Sequence, residues 1–241
     1  MAFSTEKSGK VDLHGWRKPY KEHKDAFTER SLSVKEPIGI FKQWFNVASE
    51  TPEISEANAM TLATSDKHGK PSARIVLLKS FGVKGFTFFT NYNSRKGREL
   101  NENPYASLLF YWEPLKWQVR VEGIVEKVPP EESDGYFQIR PHKSQLAAIA
   151  SEQSSVIRDR EVLINKIREL EEQYRDPKAL VPRPSNWGGF KLIPQVMEFW
   201  QGNTHRVHDR IRFRRQLPGE TIDEIMTHQG EDGWLYERLA P

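Results

Sequence analysis

The chain has 241 residues, 37% of them hydrophobic and 29% charged, and its 36 basic and 33 acidic side chains leave a formal charge of only +3. That is enough chain to bury a sizeable core, and the near-neutral balance argues against a nucleic-acid-coating surface, so any anion site must be local. The absence of cysteine excludes disulfides, thiolate metal ligands and a cysteine nucleophile and fits the cytoplasm, while apolar runs of at most five residues leave no membrane-spanning stretch to expect.

In chain order, residues 1–34 are polar and almost free of large aliphatic side chains, so a mobile arm is expected there. Arg17 and Tyr20 within it leave two roles open, a solvated tail or a lid over a ligand. Residues 37–49 set Ile38, Phe41, Trp44, Phe45 and Ala48 at helical spacing behind Pro37, as in a helix packed on a core. Five segments with strand character follow, at 59–64, 73–79, 85–90, 106–112 and 117–128, with turn-forming runs at 66–70 and 82–85. Short strands joined by tight turns argue for an antiparallel barrel or sandwich. A polar helix at 93–102, capped by Asn93 or Ser94, interrupts them. In the last strand Gln118, Arg120 and Glu122 share one face and Val119, Val121 and Ile124 look inward, which suggests a wet cleft or a subunit interface. Helices are expected at 129–139, 144–151 and 158–174, then a proline-rich loop at 176–186 and strands at 187–192, 195–201, 206–214 and 234–239.

The strand at 206–214 would carry Arg206, His208, Arg210, Arg212 and Arg214 on one face. Cations side by side repel, and the Arg fork suits phosphate. Two readings stand: an anion pocket holding a histidine, or a charged edge that guards against aggregation. The apolar run at 196–202 just before it favours a cleft. His205 and His208 would face opposite ways, so no metal pair is expected. No G-x-G pair, phosphate loop or G-x-S-x-G elbow occurs. Arg74 and Lys79 bracket four aliphatics at a spacing that puts them on opposite faces unless the strand bulges. Arg95 and Lys96 would occupy the first turn of a helix, against its dipole, and a phosphate held there by free N–H groups would reconcile the placement.

Taken together, the run from Arg74 to Lys79, Phe89-Thr90-Asn91, Ser94 to Gly97, Gln118 to Gly123, Tyr136 to Pro141, Gln153-Ser154-Ser155 and Phe199 to Gly202 followed by Arg206 to Arg210 resembles the pyridoxamine/pyridoxine 5′-phosphate oxidase family. The resemblance covers about residues 58–241 in the family's order. It implies a mainly β fold with peripheral helices, a split β-barrel that binds FMN between the subunits of a homodimer. It divides the chain into an N-terminal arm or lid (1–34) and one FMN-binding domain (35–241), whose residues 187–241 supply dimerisation and active-site strands. It also implies oxidation of pyridoxine or pyridoxamine 5′-phosphate to pyridoxal 5′-phosphate in vitamin B6 metabolism. By the same resemblance, hydride would pass from substrate C4′ to flavin N5 and O2 as acceptor would give H2O2; neither nucleic acid nor membrane is expected as a partner.

Residue by residue, the resemblance makes Arg74, Ser94, Arg95 and Lys96 contacts to the FMN phosphate and ribityl chain, with the main chain of Ile75, Val76 and Leu77 along the ring. Phe89, Thr90, Gln153 and Ser154 would be further FMN contacts, and Gln118, Trp200 and Arg210 would reach in from the partner subunit. Lys79, Tyr136, Arg140 and Ser144 would cradle the substrate phosphate; their last three recur every four residues, as on one helix face. Arg206 and His208 would orient the substrate and assist proton removal, and Arg17 and Tyr20 would belong to the lid. His205 and Val207 depart from the Asn and Leu expected there. Two alternatives remain open, a phenazine-biosynthesis type of flavin oxidase and a non-catalytic flavin or pyridoxal-phosphate carrier.

Overall fold

The computed structural model describes residue 20 and residues 26–176, 179–204 and 207–241. Arg17, His205 and Arg206 lie outside the described residues. Among those described, five α-helices and ten β-strands alternate as α1 (Pro37–Glu50), β1 (Ala59–Ser65), β2 (Pro71–Leu77), β3 (Ser80–Gly82), β4 (Gly85–Asn91), α2 (Arg95–Glu102), β5 (Tyr105–Trp112) and β6 (Trp117–Lys127). Then come α3 (Pro130–Ile139), α4 (His142–Ala150), α5 (Glu161–Gln173), β7 (Trp187–Gln201), β8 (Asp209–Arg215), β9 (Thr227–Gln229) and β10 (Trp234–Arg238).

All strand pairs are antiparallel, in the order β2-β1-β5-β6-β7-β8-β10-β9, with β4 joined to β7 and β3 to β4. The two strands expected at 187–192 and 195–201 are one. β7 runs along β6 from Phe190 to Gln201, but its other edge is shared: residues 187–192 pair with β4 and residues 196–201 with β8. Pro194 sits at that changeover, where neither β4 nor β8 needs its missing N–H. The register with β6 shifts between Glu122 and Gly123. Gly123 has no room for a side chain, because a Cβ there would lie 1.9 Å from the carbonyl oxygen of Ile193. At this point the sheet splits.

Inward residues of the strands, Met60, Leu62, Leu108, Phe110, Val119, Val121, Met197, Phe199, Ile211 and Phe213, build the main core. Ile124 is half-buried on the face of Glu122, with Val125 taking the inward position expected for it. α1 closes the core with Ile40, Phe41, Trp44 and Ala48, its first turn capped by the Glu36 carboxylate, which accepts from the N–H of Ile38 and Gly39. A smaller core of Phe137, Leu146, Ala150, Leu170, Val181 and Trp187 binds α3–α5 to the barrel. Phe27 is buried against Trp44 (5.0 Å). No helix among the described residues is long and apolar enough to cross a membrane.

Candidate functional site

A cavity of about 520 Å³ opens where β2, β4, the start of α2 and the α3–α4 junction meet. Arg74, Ile75, Val76, Leu77 and Lys79 line one side, and Phe89, Thr90 and Lys96 another. Tyr136, Arg140, Ser144 and Gln153 are the other expected residues on its lining. Ile139, Pro141 and Trp187 border it as well and no local pattern singled them out. Arg74 and Lys79 reach the same space because β2 ends at Leu77, after which the Lys79 N–H turns to the carbonyl of Thr87. Tyr136, Arg140 and Ser144 do so from two helices rather than one face of a single helix. α3 ends at Ile139, Arg140 is its C-cap, and Pro141 caps α4.

Two groups of cations meet here. In the first, Lys96 is buried and donates to Gln153 Oε1 (2.7 Å) and Thr90 Oγ1 (3.2 Å), neither of them charged. Burial first, then the charge of Arg74, push its pKa from 10.5 to about 8, with Glu99 pulling the other way. Burial also lowers Arg74, against the hydrogen bond and charge of Glu99. In the second group Arg140 lies 4.5 Å above the Trp187 ring, and its buried Nη1 has no hydrogen-bond partner. Leaving such a donor unsatisfied costs about 1–3 kcal/mol. Burial lowers its pKa too, the Tyr136 interaction opposing. Lys79 Nζ is 5.9 Å from the Tyr136 ring, which stacks on Phe89 at 4.1 Å. Desolvated cations with donors to spare are what an anion needs.

Other expected residues stand outside this cavity. The fully buried Ser94 hydroxyl caps α2 by accepting from the Gly97 N–H. Arg95 is half-exposed and pairs with Glu99 at 2.8 Å, so its place at the helix start is compensated by a side chain one turn on. Ser154 adopts a left-handed φ of 72° in the loop that carries Gln153, a conformation that costs a non-glycine residue energy. Tyr20, Trp200 and His208 form a separate aromatic cluster, with His208 5.4 Å from Tyr20 and 5.0 Å from Trp200. The Asn203 N–H donates to His208 Nδ1 (3.0 Å), so the neutral ring carries its proton on Nε2.

The arginine row is corrected in its extent. β8 begins at Asp209, so His208 precedes the strand, and β8 is an interior strand rather than a charged edge. β8 lies between β7 and β10: Arg210 pairs with Glu198 of β7 (2.8 Å), Arg212 with Glu237 of β10, and Arg214 with Glu237 and with Glu220 in the loop after β8. Gln118 and Trp200 are register partners on the same half-covered sheet face as Arg210.

A split antiparallel sheet with peripheral helices and a cation-lined cavity between β2, β4 and the helices defines a small-molecule-binding split-barrel protein. The chain belongs to the pyridoxamine 5′-phosphate oxidase family: the family model of that description matches residues 50–174, and that of the pyridoxine 5′-phosphate oxidase C-terminal dimerisation region matches residues 187–241. It is similar to the pyridoxine-5′-phosphate oxidase of Bos taurus, 56% identical over 96% of this chain and 88% of that protein. The pyridoxine/pyridoxamine 5′-phosphate oxidase of Bombyx mori is 51% identical over 96% and 90%. Among solved structures, PhzG from Burkholderia lata in complex with tetrahydrophenazine-1-carboxylic acid superposes with a TM-score of 0.78 at 30% identity, covering 92% of this chain and all of that one. An FMN-binding protein from Nostoc punctiforme, at 16% identity and a TM-score of 0.62 over 84% and 96%, shares the fold.

Proposed function

We propose that the chain is an FMN-dependent oxidase that converts pyridoxine 5′-phosphate and pyridoxamine 5′-phosphate to pyridoxal 5′-phosphate, acting as a homodimer in the cytoplasm with O2 as acceptor and H2O2 as product. The observation that carries this reading is the pairing of two desolvated cation groups in one cavity, since cofactor and substrate each bring a phosphate. The residues fit that demand: Arg74 and Lys96 with Thr90 and Gln153 would hold the FMN phosphate and ribityl chain, with Ile75 to Leu77 along the ring and Ser94 and Arg95 behind them. The unpartnered Arg140 Nη1, with Lys79, Tyr136 and Ser144, would hold the substrate phosphate. When bound, FMN supplies the hydride acceptor.

The chain's own share is positioning. A phosphate anchored by Arg140 would fix one end of the substrate, and Arg206 with the Nε2–H of His208 would fix the ring, that N–H donating to the oxygen or nitrogen on C4′. Gln118, Trp200 and Arg210 would come from the second subunit, carried by the C-terminal strands that match a dimerisation region. The 1–34 arm, through Arg17 and Tyr20, would cover the site.

The test is direct. The purified protein is expected to be yellow and to release H2O2 with pyridoxine 5′-phosphate, and Arg140→Met is expected to raise the KM for that substrate at least about tenfold, the worth of one charged hydrogen bond, with the flavin spectrum unchanged. A yellow protein that leaves both phosphorylated vitamers unreacted but oxidises a tricyclic phenazine precursor would move the reading to the PhzG type. Binding without H2O2 would make it a carrier.

A further inference from the structure

Glu99 was singled out by no sequence pattern, yet its buried carboxylate pairs with both arginines expected at the cofactor phosphate, Arg74 and Arg95. Its Oε1 accepts from Arg95 Nε (2.8 Å), and its Oε2 accepts from Thr64 Oγ1 (2.5 Å), Ser72 Oγ (2.6 Å) and Arg74 Nη2 (3.3 Å). The two hydroxyls are relays. Thr64 Oγ1 also accepts from Arg74 Nη1 at 2.5 Å, and Ser72 Oγ from Arg74 Nη2. Thr64 and Ser72 are opposed in the β1–β2 register, next to the Leu62–Arg74 pair on the same face, so one carboxylate from α2 ties two strands and a helix to a single guanidinium. A buried carboxylate is costly to desolvate unless donors meet it, and here Thr64, Ser72, Arg74 and Arg95 all donate to it. Arg74 and Arg95 are like charges that repel, and Arg74 and Lys96 likewise. A buried anion between the arginines lets both remain beside the cavity before any ligand arrives.

We infer that Glu99 is a positioning residue for the phosphate end of the cofactor site, holding Arg74 and Arg95 in place so that the site selects a phosphorylated flavin over the same flavin without its phosphate. The inference rests on the FMN reading above. It opposes the simple electrostatic expectation, in which a carboxylate near a phosphate only repels it and its removal tightens binding. Preorganisation and charge therefore predict opposite signs for one substitution.

The experiment uses the full chain freed of flavin, with FMN and riboflavin titrated separately by quenching of flavin fluorescence at fixed pH and salt. Wild-type protein is expected to bind FMN more tightly than riboflavin. Glu99→Gln is expected to weaken FMN at least about tenfold, the loss of charged hydrogen bonds at two arginines, while riboflavin binding stays within a factor of two. Glu99→Asp keeps the charge and loses one methylene of reach; it is expected to lose part of the same preference, and it decides the matter if the Gln variant does not fold. FMN affinity that is unchanged or tighter in Glu99→Gln, an equal fall for both flavins, or a wild-type preference retained in Glu99→Asp overturns the inference. A wild-type chain that binds both flavins alike removes the cofactor reading itself, and this inference with it.

Discussion

Lys96 is an ammonium set among neutral acceptors, and its lowered pKa makes two properties of the protein move in opposite directions with pH. Between about 8 and the ordinary 10.5 the unfolded chain holds a proton that the folded, ligand-free chain has released, so this group makes the folded state more stable as pH rises through that window. Phosphate binding needs the charged form. FMN affinity is therefore expected to be flat below pH 8 and to fall above it, by at most about tenfold per pH unit for one proton. Melting temperatures of the flavin-free protein and FMN titrations between pH 7 and 10 check both slopes, and Lys96→Met is expected to flatten both. Glu99 is also shifted down, but in favour of its charged form: burial raises its pKa, and hydrogen bonds from Ser72, Thr64, Arg95 and Arg74 together outweigh it and hold it at about 2. Its stabilising contribution is thus complete above the ordinary 4.5 and is lost as pH falls toward 2. At this scale Lys96 was readable from a cation at a helix start. Glu99 was not, because its partners Thr64, Ser72 and Arg74 lie 25 or more residues away and only Arg95 is local.

At the scale of elements, the join between the N-terminal residues and the C-terminal strands governs His208. Arg238, the last residue of β10, donates through Nη1 to Asp209 Oδ1 (2.9 Å), through Nη2 to the Phe27 carbonyl (3.0 Å), and to both Glu29 oxygens. The Phe27 N–H donates in turn to Asp209 Oδ2 (3.2 Å). Asp209 is buried, begins β8 and follows His208 directly, so this latch sets where the histidine loop leaves the sheet. Arg238→Met is expected to cost about 1–3 kcal/mol of stability, the range for hydrogen bonds to a charged group left unpaired, and to raise the substrate KM several-fold with FMN binding intact. Loss of FMN at unchanged KM would refute the coupling. Strands β1, β2 and β4–β6 were legible because alternation and turn residues bracket them. β3 and β9, three residues each, are too short to show a period, and Pro194 disguised β7 as two strands. The Tyr136, Arg140, Ser144 spacing imitated a helix face across a break at Pro141. Family resemblance rather than periodicity brought the cavity residues together, since they come from elements distant in sequence.

At the scale of the molecule, one chain does not bring its two sets of site residues together. The cavity of Arg74, Lys96 and Arg140 has neither Trp200 nor His208 on its lining. These belong to the outer face of the sheet, which runs in register from Ile75 through Thr61, Leu109, Arg120 and Glu198 to Arg212. Ile75, Tyr105 and Tyr111 are more than half exposed on β2 and β5, and so large an apolar exposure on a half-charged sheet suits a second copy packed over it. If a two-fold axis lays the Trp200–His208 cluster of one subunit on the cavity of the other, each complete site draws on both chains. Arg140→Met and His208→Ala, each expected to be strongly impaired alone when assayed at substrate well below the wild-type KM, are then expected to rescue one another when the two proteins are unfolded together and refolded as a mixture. A mixed dimer has one cavity with an intact Arg140 facing an intact His208, and random pairing leaves about a quarter of all sites in that condition. Activity near that fraction of wild type, rising with the mixed species on a tagged column, supports a shared site. Dimers that mix freely yet stay inactive would mean that His208 serves the cavity of its own chain.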